Sequence, residues 1–374
     1  WDKSFGTAFP EWDIGWDITI DSDNNLYITG HVSVTSNGDD VSIIKFDKDG
    51  NQIWNRTWGG NGDDCGYGIA LDSNINVYIT GETFVPYKQA ETFLLKYNKD
   101  GVFQWSEIIS GSNYYDICYD VAVDTYDDIY ITGYNHTDLV LYKYDNQSNQ
   151  IWNRTWSGSS TFSGGSGITI DSNNKIYITG SNNTNGDSDL ILLRYNIQGD
   201  LQMVRSWDGN LNEDVGGVDI ATDSNDFIYI LGNIDGQNTT LSKYNDKGQQ
   251  QWVELYPKKK REYIGRGINI NKLTNNIYIT GYTYKTHNPI FIVKYNSSSD
   301  LKWETLWDGS SIIDESFPEP PSGDGNDNGD NSHDNNLSIP FGNFVILFTI
   351  FAIISLVIVL RIKSKKYLIK RDSM

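Results

Sequence analysis

Imidazole and thiol chemistry rest on six residues: His31, His136, His287 and His333, and Cys65 and Cys118. No two histidines stand at a metal-ligand spacing, and along the chain no histidine lies near a cysteine. Metal held by imidazole or thiolate is therefore not expected. Cys65 and Cys118 stand seven and six residues before Asp72 and Asp124, in matching places of adjacent segments. A bridge between them is geometrically conceivable; two unpaired, partly buried thiols are the expectation. Nucleophile elbows, Walker loops and zincin helices are absent from the sequence. Asp47-x-Asp49-Gly50-Asn51 resembles part of a calcium loop but has no glutamate at its twelfth position. An Asp-Gly hairpin turn is the better reading. No cofactor or metal is expected. The remaining acid–base candidates are Asp13, Asp64 and Asp116, each eight residues before an aspartate that recurs as Asp21, Asp72 and Asp124.

That recurrence belongs to a repeat covering most of the chain. Tyr-Ile-Thr-Gly or a near copy ends at Gly30, Gly81, Gly133, Gly180, Gly232 and Gly281, at intervals of 51, 52, 47, 52 and 49 residues. Each unit reads as four short strands. Strand A ends in Asp, as in Gly68 to Asp72, and an Asp-Ser-x-x-Asn turn follows in which Asp and Asn can cap their own backbone. Strand B is the Tyr-Ile-Thr-Gly run, rich in β-branched and aromatic residues. Strand C is a continuous apolar run such as Phe93 to Tyr97, which predicts burial on both faces. Strand D carries tryptophans four apart, as in Trp54 and Trp58, so both indoles lie on one face.

One such sheet cannot bury both of its faces. Six of them around an axis bury one another, and units of 40 to 50 residues with four strands are the sign of a propeller. The expected fold is all-β, a six-bladed β-propeller at 1–309 with blades near 14–58, 66–109, 118–156, 165–207, 215–256 and 265–307. Trp1 resembles the end of a D strand, so a seventh blade upstream stays open as an alternative.

The combination Asp-Ser-x-x-Asn-x-Tyr-Ile-Thr-Gly followed by Lys-Tyr-Asn-x-x-Gly-x-x-x-Trp resembles the prokaryotic β-propeller repeat family called SBBP. The likeness runs over residues 14 to 307. It implies a propeller, often seven-bladed, on exported or cell-surface proteins, and no particular catalytic residue or ligand.

Beyond the repeat the composition changes. Residues 310–340, with Pro318, Pro320, Pro321 and a Gly/Asp/Asn/Ser-rich run, predict a polar disordered stalk. Phe344 to Leu360 is free of charge, and 341–361 predicts one transmembrane helix. The basic tail, 362–374, is then cytoplasmic and the propeller extracellular, in a single-pass protein of the cell membrane. The stalk, helix and basic end resemble C-terminal anchors of archaeal cell-surface proteins. Of the formal charge of −20, the residues after Leu360 carry +5, leaving −25 elsewhere; nucleic acid is thereby excluded as a partner. N-glycosylation sequons at Asn55, Asn135, Asn146, Asn153, Asn182, Asn238, Asn296 and Asn336 agree with an outside location, with Asn55 and Asn153 open to the alternative of packing between blades.

A basic residue precedes the aromatic that ends each strand C: Lys45, Lys96, Lys143, Arg194, Lys243 and Lys294. Recurrence in every unit favours a structural role, with the charge meeting a turn aspartate. A binding site is expected where units differ, in the B–C and D–A loops on one face. That face offers Trp12, Asp13, Trp16, Asp64, Tyr67, Asp116 and Tyr119, besides the exposed run Lys258 to Arg261. The expected function is a monomeric, non-enzymatic module for adhesion or for binding an envelope protein or glycan. Alternatives are an extracellular enzyme acting on polysaccharide or through a quinone-type cofactor, which needs carboxylates converging at the axis, and a structural coat component.

Overall fold

A computed structural model describes residues 13–35, 38–84, 90–109, 116–158, 162–184, 187–207, 215–234, 238–256, 263–283, 290–307 and 312–313. These form six antiparallel sheets, each made of consecutive strands in the order A-B-C-D, the arrangement of a six-bladed propeller. In blade 1 the strands are Ile14–Ile20, Leu26–Thr35, Gly38–Phe46 and Gln52–Trp58. Strand A of the following blades is Cys65–Leu71, Asp116–Val123, Phe162–Ile170, Val215–Thr222 and Tyr263–Asn271. In blades 3, 4 and 6 it begins two or three residues before the repeat suggested. Ile312–Ile313 adds a fifth strand to the edge of blade 6. Ile312–Ile313 thus belongs to blade 6 and not to the expected stalk; the rest of the stalk, the apolar stretch, the basic tail, Trp12, the Lys258 to Arg261 run and Asn336 lie outside the described residues. No helix among the described residues is long and apolar enough to cross a membrane.

The repeat's turn chemistry is visible in every detail of blade 1. Asp21 Oδ1 accepts from the backbone N–H groups of Asp23 and Asn25, and Asn25 Nδ2 donates to Asp21 Oδ2. The same oxygen accepts from the Tyr27 hydroxyl at 3.1 Å, so the motif's Asp clamps the turn and the buried Tyr together. Tyr78, Tyr130, Tyr177 and Tyr229 repeat this bond to Asp72, Asp124, Asp171 and Asp223. Asp47 holds its C–D turn in the same manner, through Asp49, Asn51 and the Asn51 amide.

Blades pack through apolar clusters that span the seams. Tyr27, Val41 and Ile43 meet Ile69, Val77 and Phe93 between blades 1 and 2, and comparable clusters fill the next four seams. Full burial of one such aliphatic side chain contributes about 1.5–3 kcal/mol. On the faces that turn toward the sixth seam, the described residues form two separate clusters, around Leu26 and Phe46 in blade 1 and around Tyr278 and Ile292 in blade 6.

The basic residues of strand C hold the seams. Lys45, Lys96, Lys143 and Lys243 donate to the main-chain carbonyls of Lys99, Asn146, Ile197 and Ser297 in the next blade, and Arg194 donates to that of Asp246. Lys45 also lies 4.7 Å above the Tyr27 ring. The structural role stands, but the principal acceptor is a turn carbonyl of the neighbour. Turn aspartates take part beside Lys143, 2.8 Å from Asp128, and beside Lys243, 4.0 Å from Asp223.

Candidate functional site

The glycine of Tyr-Ile-Thr-Gly shapes the mouth of the propeller. A Cβ on Gly30, Gly81, Gly133, Gly180 or Gly281 would lie 1.9 Å from a strand-A carbonyl oxygen. That close approach accompanies a break in strand-A register at the same place in every blade. The residue standing at the break is Trp16, Tyr67, Tyr119, Ser166, Val218 or Arg266. A bulge leaves one residue unpaired and re-aims its neighbours, here at the end of strand A where the B–C and D–A loops begin.

In blades 1 to 3 those residues are aromatic and touch. Trp16 and Tyr67 have ring centroids 5.4 Å apart, Tyr67 and Tyr119 5.4 Å, Tyr119 and Tyr134 5.9 Å, and Tyr134 and Phe162 5.3 Å. The result is an aromatic crescent across four blades, with Trp16 and Phe162 exposed at its two ends. Tyr67 is fixed by donating to Glu82 Oε1 at 2.5 Å. On the opposite side of the mouth the residues at the break are Ser166, Val218 and Arg266, the last 5.4 Å from the Tyr282 ring.

Trp16, Tyr67 and Tyr119 thus come together, whereas the aspartates placed with them do not. Asp13, Asp64 and Asp116 are all buried. Asp13 accepts from the backbone N–H of Ser33, and Asp64 from those of Gly60 and Phe84. They staple loops.

The carboxylates that converge on the axis are Asp17, Asp120 and Asp219, the residues just after the bulge. Around the ring this position reads Asp17, Gly68, Asp120, Gly167, Asp219, Gly267, an alternation that the sequence displayed and that aligning the units four residues before the strand-A Asp would have found. Each aspartate accepts from the N–H of its own following residue, Ile18, Val121 or Ile220. Each also accepts from the next blade, at Ile69, Ile168 or Ile268, always at 2.8 Å. Burial raises the pKa of Asp17 to about 7 and of Asp219 to about 6, against the lowering effect of the amide bonds. Asp120 is raised well above the usual carboxylate range by burial and by the charges of Asp17 and Asp219. A cavity of about 400 Å³ lined by strand A of all six blades runs along the axis. No group of three or more potential metal ligands occurs among the described residues.

Beside the crescent lies a contact the spacing along the chain concealed. His31 Nδ1 is 3.4 Å from Cys65 Sγ, across the first seam, so a histidine and a cysteine do meet, brought together by packing of adjacent blades. Cys65 and Cys118 are both free and buried, and burial pushes each thiol up to about 12. Of the sequons, Asn55 and Asn153 are exposed on D strands, while Asn182 is buried and accepts from the Ser163 hydroxyl at 2.9 Å.

The fold is shared with solved structures at low identity. A catalytically inactive virginiamycin B lyase from Staphylococcus aureus, solved with quinupristin, matches with a TM-score of 0.56 and 12% identity, covering 82% of this chain and 87% of that one. A streptogramin B lyase matches with 0.55 and 13%, covering 82% and 86%. Such a likeness shows architecture alone. No curated protein matches the chain. Residues 104–138, from strand D of blade 2 to the start of strand C of blade 3, match the family described as SBBP, beta-propeller repeat, so a repeat of this propeller is similar to that family.

Proposed function

We propose that the protein is a binding module that holds an envelope glycan, or the glycan of an envelope protein, on the aromatic crescent. The carrying observation is the unbroken contact from Trp16 through Tyr67, Tyr119 and Tyr134 to Phe162. Flat aromatic faces in a row offer apolar area at little cost in conformational entropy and suit the apolar faces of sugar rings. In this reading the propeller is displayed outside the cell on the 310–340 stalk and held by a single helix at 341–361. The uncharged run from Phe344 to Leu360 and the basic residues after it support that orientation.

The full chain in detergent, applied to an array of envelope polysaccharide fragments and glycoproteins, should bind a subset of them. Trp16→Ala and Tyr67→Ala should each weaken that binding about tenfold or more. Capture of none of these components would remove the reading.

A second reading is an enzyme acting on polysaccharide, favoured by one observation: three protonatable carboxylates at the axis. Both oxygens of each already accept backbone amides, which favours a structural role. Glycan turnover abolished by Asp17→Asn or Asp219→Asn would promote the enzyme.

A further inference from the structure

Trp16, at the exposed end of the crescent, is held by a histidine. Its indole Nε1 donates to His31 Nδ1 at 3.2 Å. Tryptophan is a donor only, so this bond requires Nδ1 to be unprotonated and places the ring proton on Nε2. Asp39 Oδ2 lies 3.6 Å from Nε2, and the Ser33 hydroxyl fixes that carboxylate by donating to its other oxygen at 2.6 Å. Cys65 Sγ waits 3.4 Å from the same Nδ1.

Charging the ring reverses the arrangement at Nδ1. A protonated imidazole has two donors and no acceptor, so its Nδ1–H faces the Trp16 N–H donor to donor. The Cys65 sulfur, kept as a neutral thiol by burial and by the charges of Glu82, Asp39 and Asp63, is then the acceptor within reach. The Asp39 carboxylate favours the charged ring. Against His31 itself stand Trp16 on strand A and Asp39 on strand C of blade 1, and Cys65 from blade 2; Glu82 and Asp63 of blade 2 act on Cys65 beside it. Among the described residues, the charged groups named here are all acidic.

We propose that His31 is a proton-operated latch on Trp16: the neutral ring completes the aromatic crescent, and the protonated ring turns to Cys65 and releases the indole. This rests on the crescent being the binding face, whose affinity then falls as the medium acidifies. His31 acts here as a positioning residue.

The test needs no ligand, so its failure leaves the glycan reading standing. The full chain is labelled with 15N-tryptophan, the Trp16 indole resonance is assigned by its loss in Trp16→Phe, and spectra are followed from pH 8 to pH 5. The Trp16 Nε1–H should shift in a single protonation step within that range. Below it, its exchange with water should rise about fivefold relative to the other indoles, as expected for loss of one hydrogen bond. His31→Gln, which offers an oxygen acceptor but does not titrate, should abolish the transition. Asp39→Asn should move the midpoint to lower pH. A Trp16 resonance that stays flat, or that shifts equally in His31→Gln, overturns the latch. If His31→Gln fails to fold, an unmoved midpoint in Asp39→Asn does the same.

Discussion

The Asp17 carboxylate joins two blades: its Oδ2 accepts the backbone N–H of Ile69 at 2.8 Å, while its Oδ1 accepts that of Ile18 in its own strand. Removing it strands two backbone donors in the axial wall. Asp17→Ala should therefore destabilise the propeller by about 1–3 kcal/mol at pH 5. The loss should be smaller at pH 8, where the wild-type carboxylate is charged and repelled by Asp219. Urea unfolding at the two pH values checks both statements.

Stability should fall as pH rises through neutrality. Asp17 and Asp219 titrate near 7 and 6 in the folded ring, with Asp120 raised as well, against about 3.9 in an unfolded chain. Between roughly pH 4 and 7 the native state thus binds more protons than the unfolded one, and acidification in that window stabilises it. The melting temperature should increase from pH 7.5 to 5, and Asp17→Ala should flatten the slope. A melting temperature that drops steadily over that range contradicts the assignment.

Gly81→Ala should be more damaging than a surface glycine replacement. The new methyl would sit 1.9 Å from the Cys65 carbonyl oxygen, in backbone that cannot swing aside. A loss of about 1–3 kcal/mol or more is expected, while Gly60→Ala, whose methyl meets nothing within 4 Å, should change stability far less. Thermal melts of the pair decide it.

Ile75 is a β-branched residue at φ 63°, a position filled by Asn24, Asn174 and Asn275 in other blades. Left-handed backbone costs an ordinary residue about 1–2 kcal/mol. Some of the gain from asparagine is offset because Ile75 packs against the first-seam cluster. Ile75→Asn should still raise stability by about 0.5–1 kcal/mol, measured by urea unfolding.

Strand identity, blade number and turn chemistry were legible in the sequence because each is local. Asp21, Asn25 and Tyr27 satisfy one another within a few residues, and a motif repeated six times cannot hide that. The site was legible only in part. Trp16, Tyr67 and Tyr119 stand out as large residues at a position the repeat leaves variable. Asp13 and Asp64 match the same logic but face buried amides, a distinction that depends on loop geometry. The meeting of His31 with Cys65 depends on two residues 34 apart in different blades, and nothing in their spacing announces it.

The alternation of aspartate and glycine around the axis makes parity a property of this ring. Where Gly68 faces Asp120, a methyl on the glycine would already crowd the neighbour's Cα at 2.8 Å. An odd number of blades would set two carboxylates, or two bare backbones, side by side. The alternation is kept only when blades are added or removed in pairs.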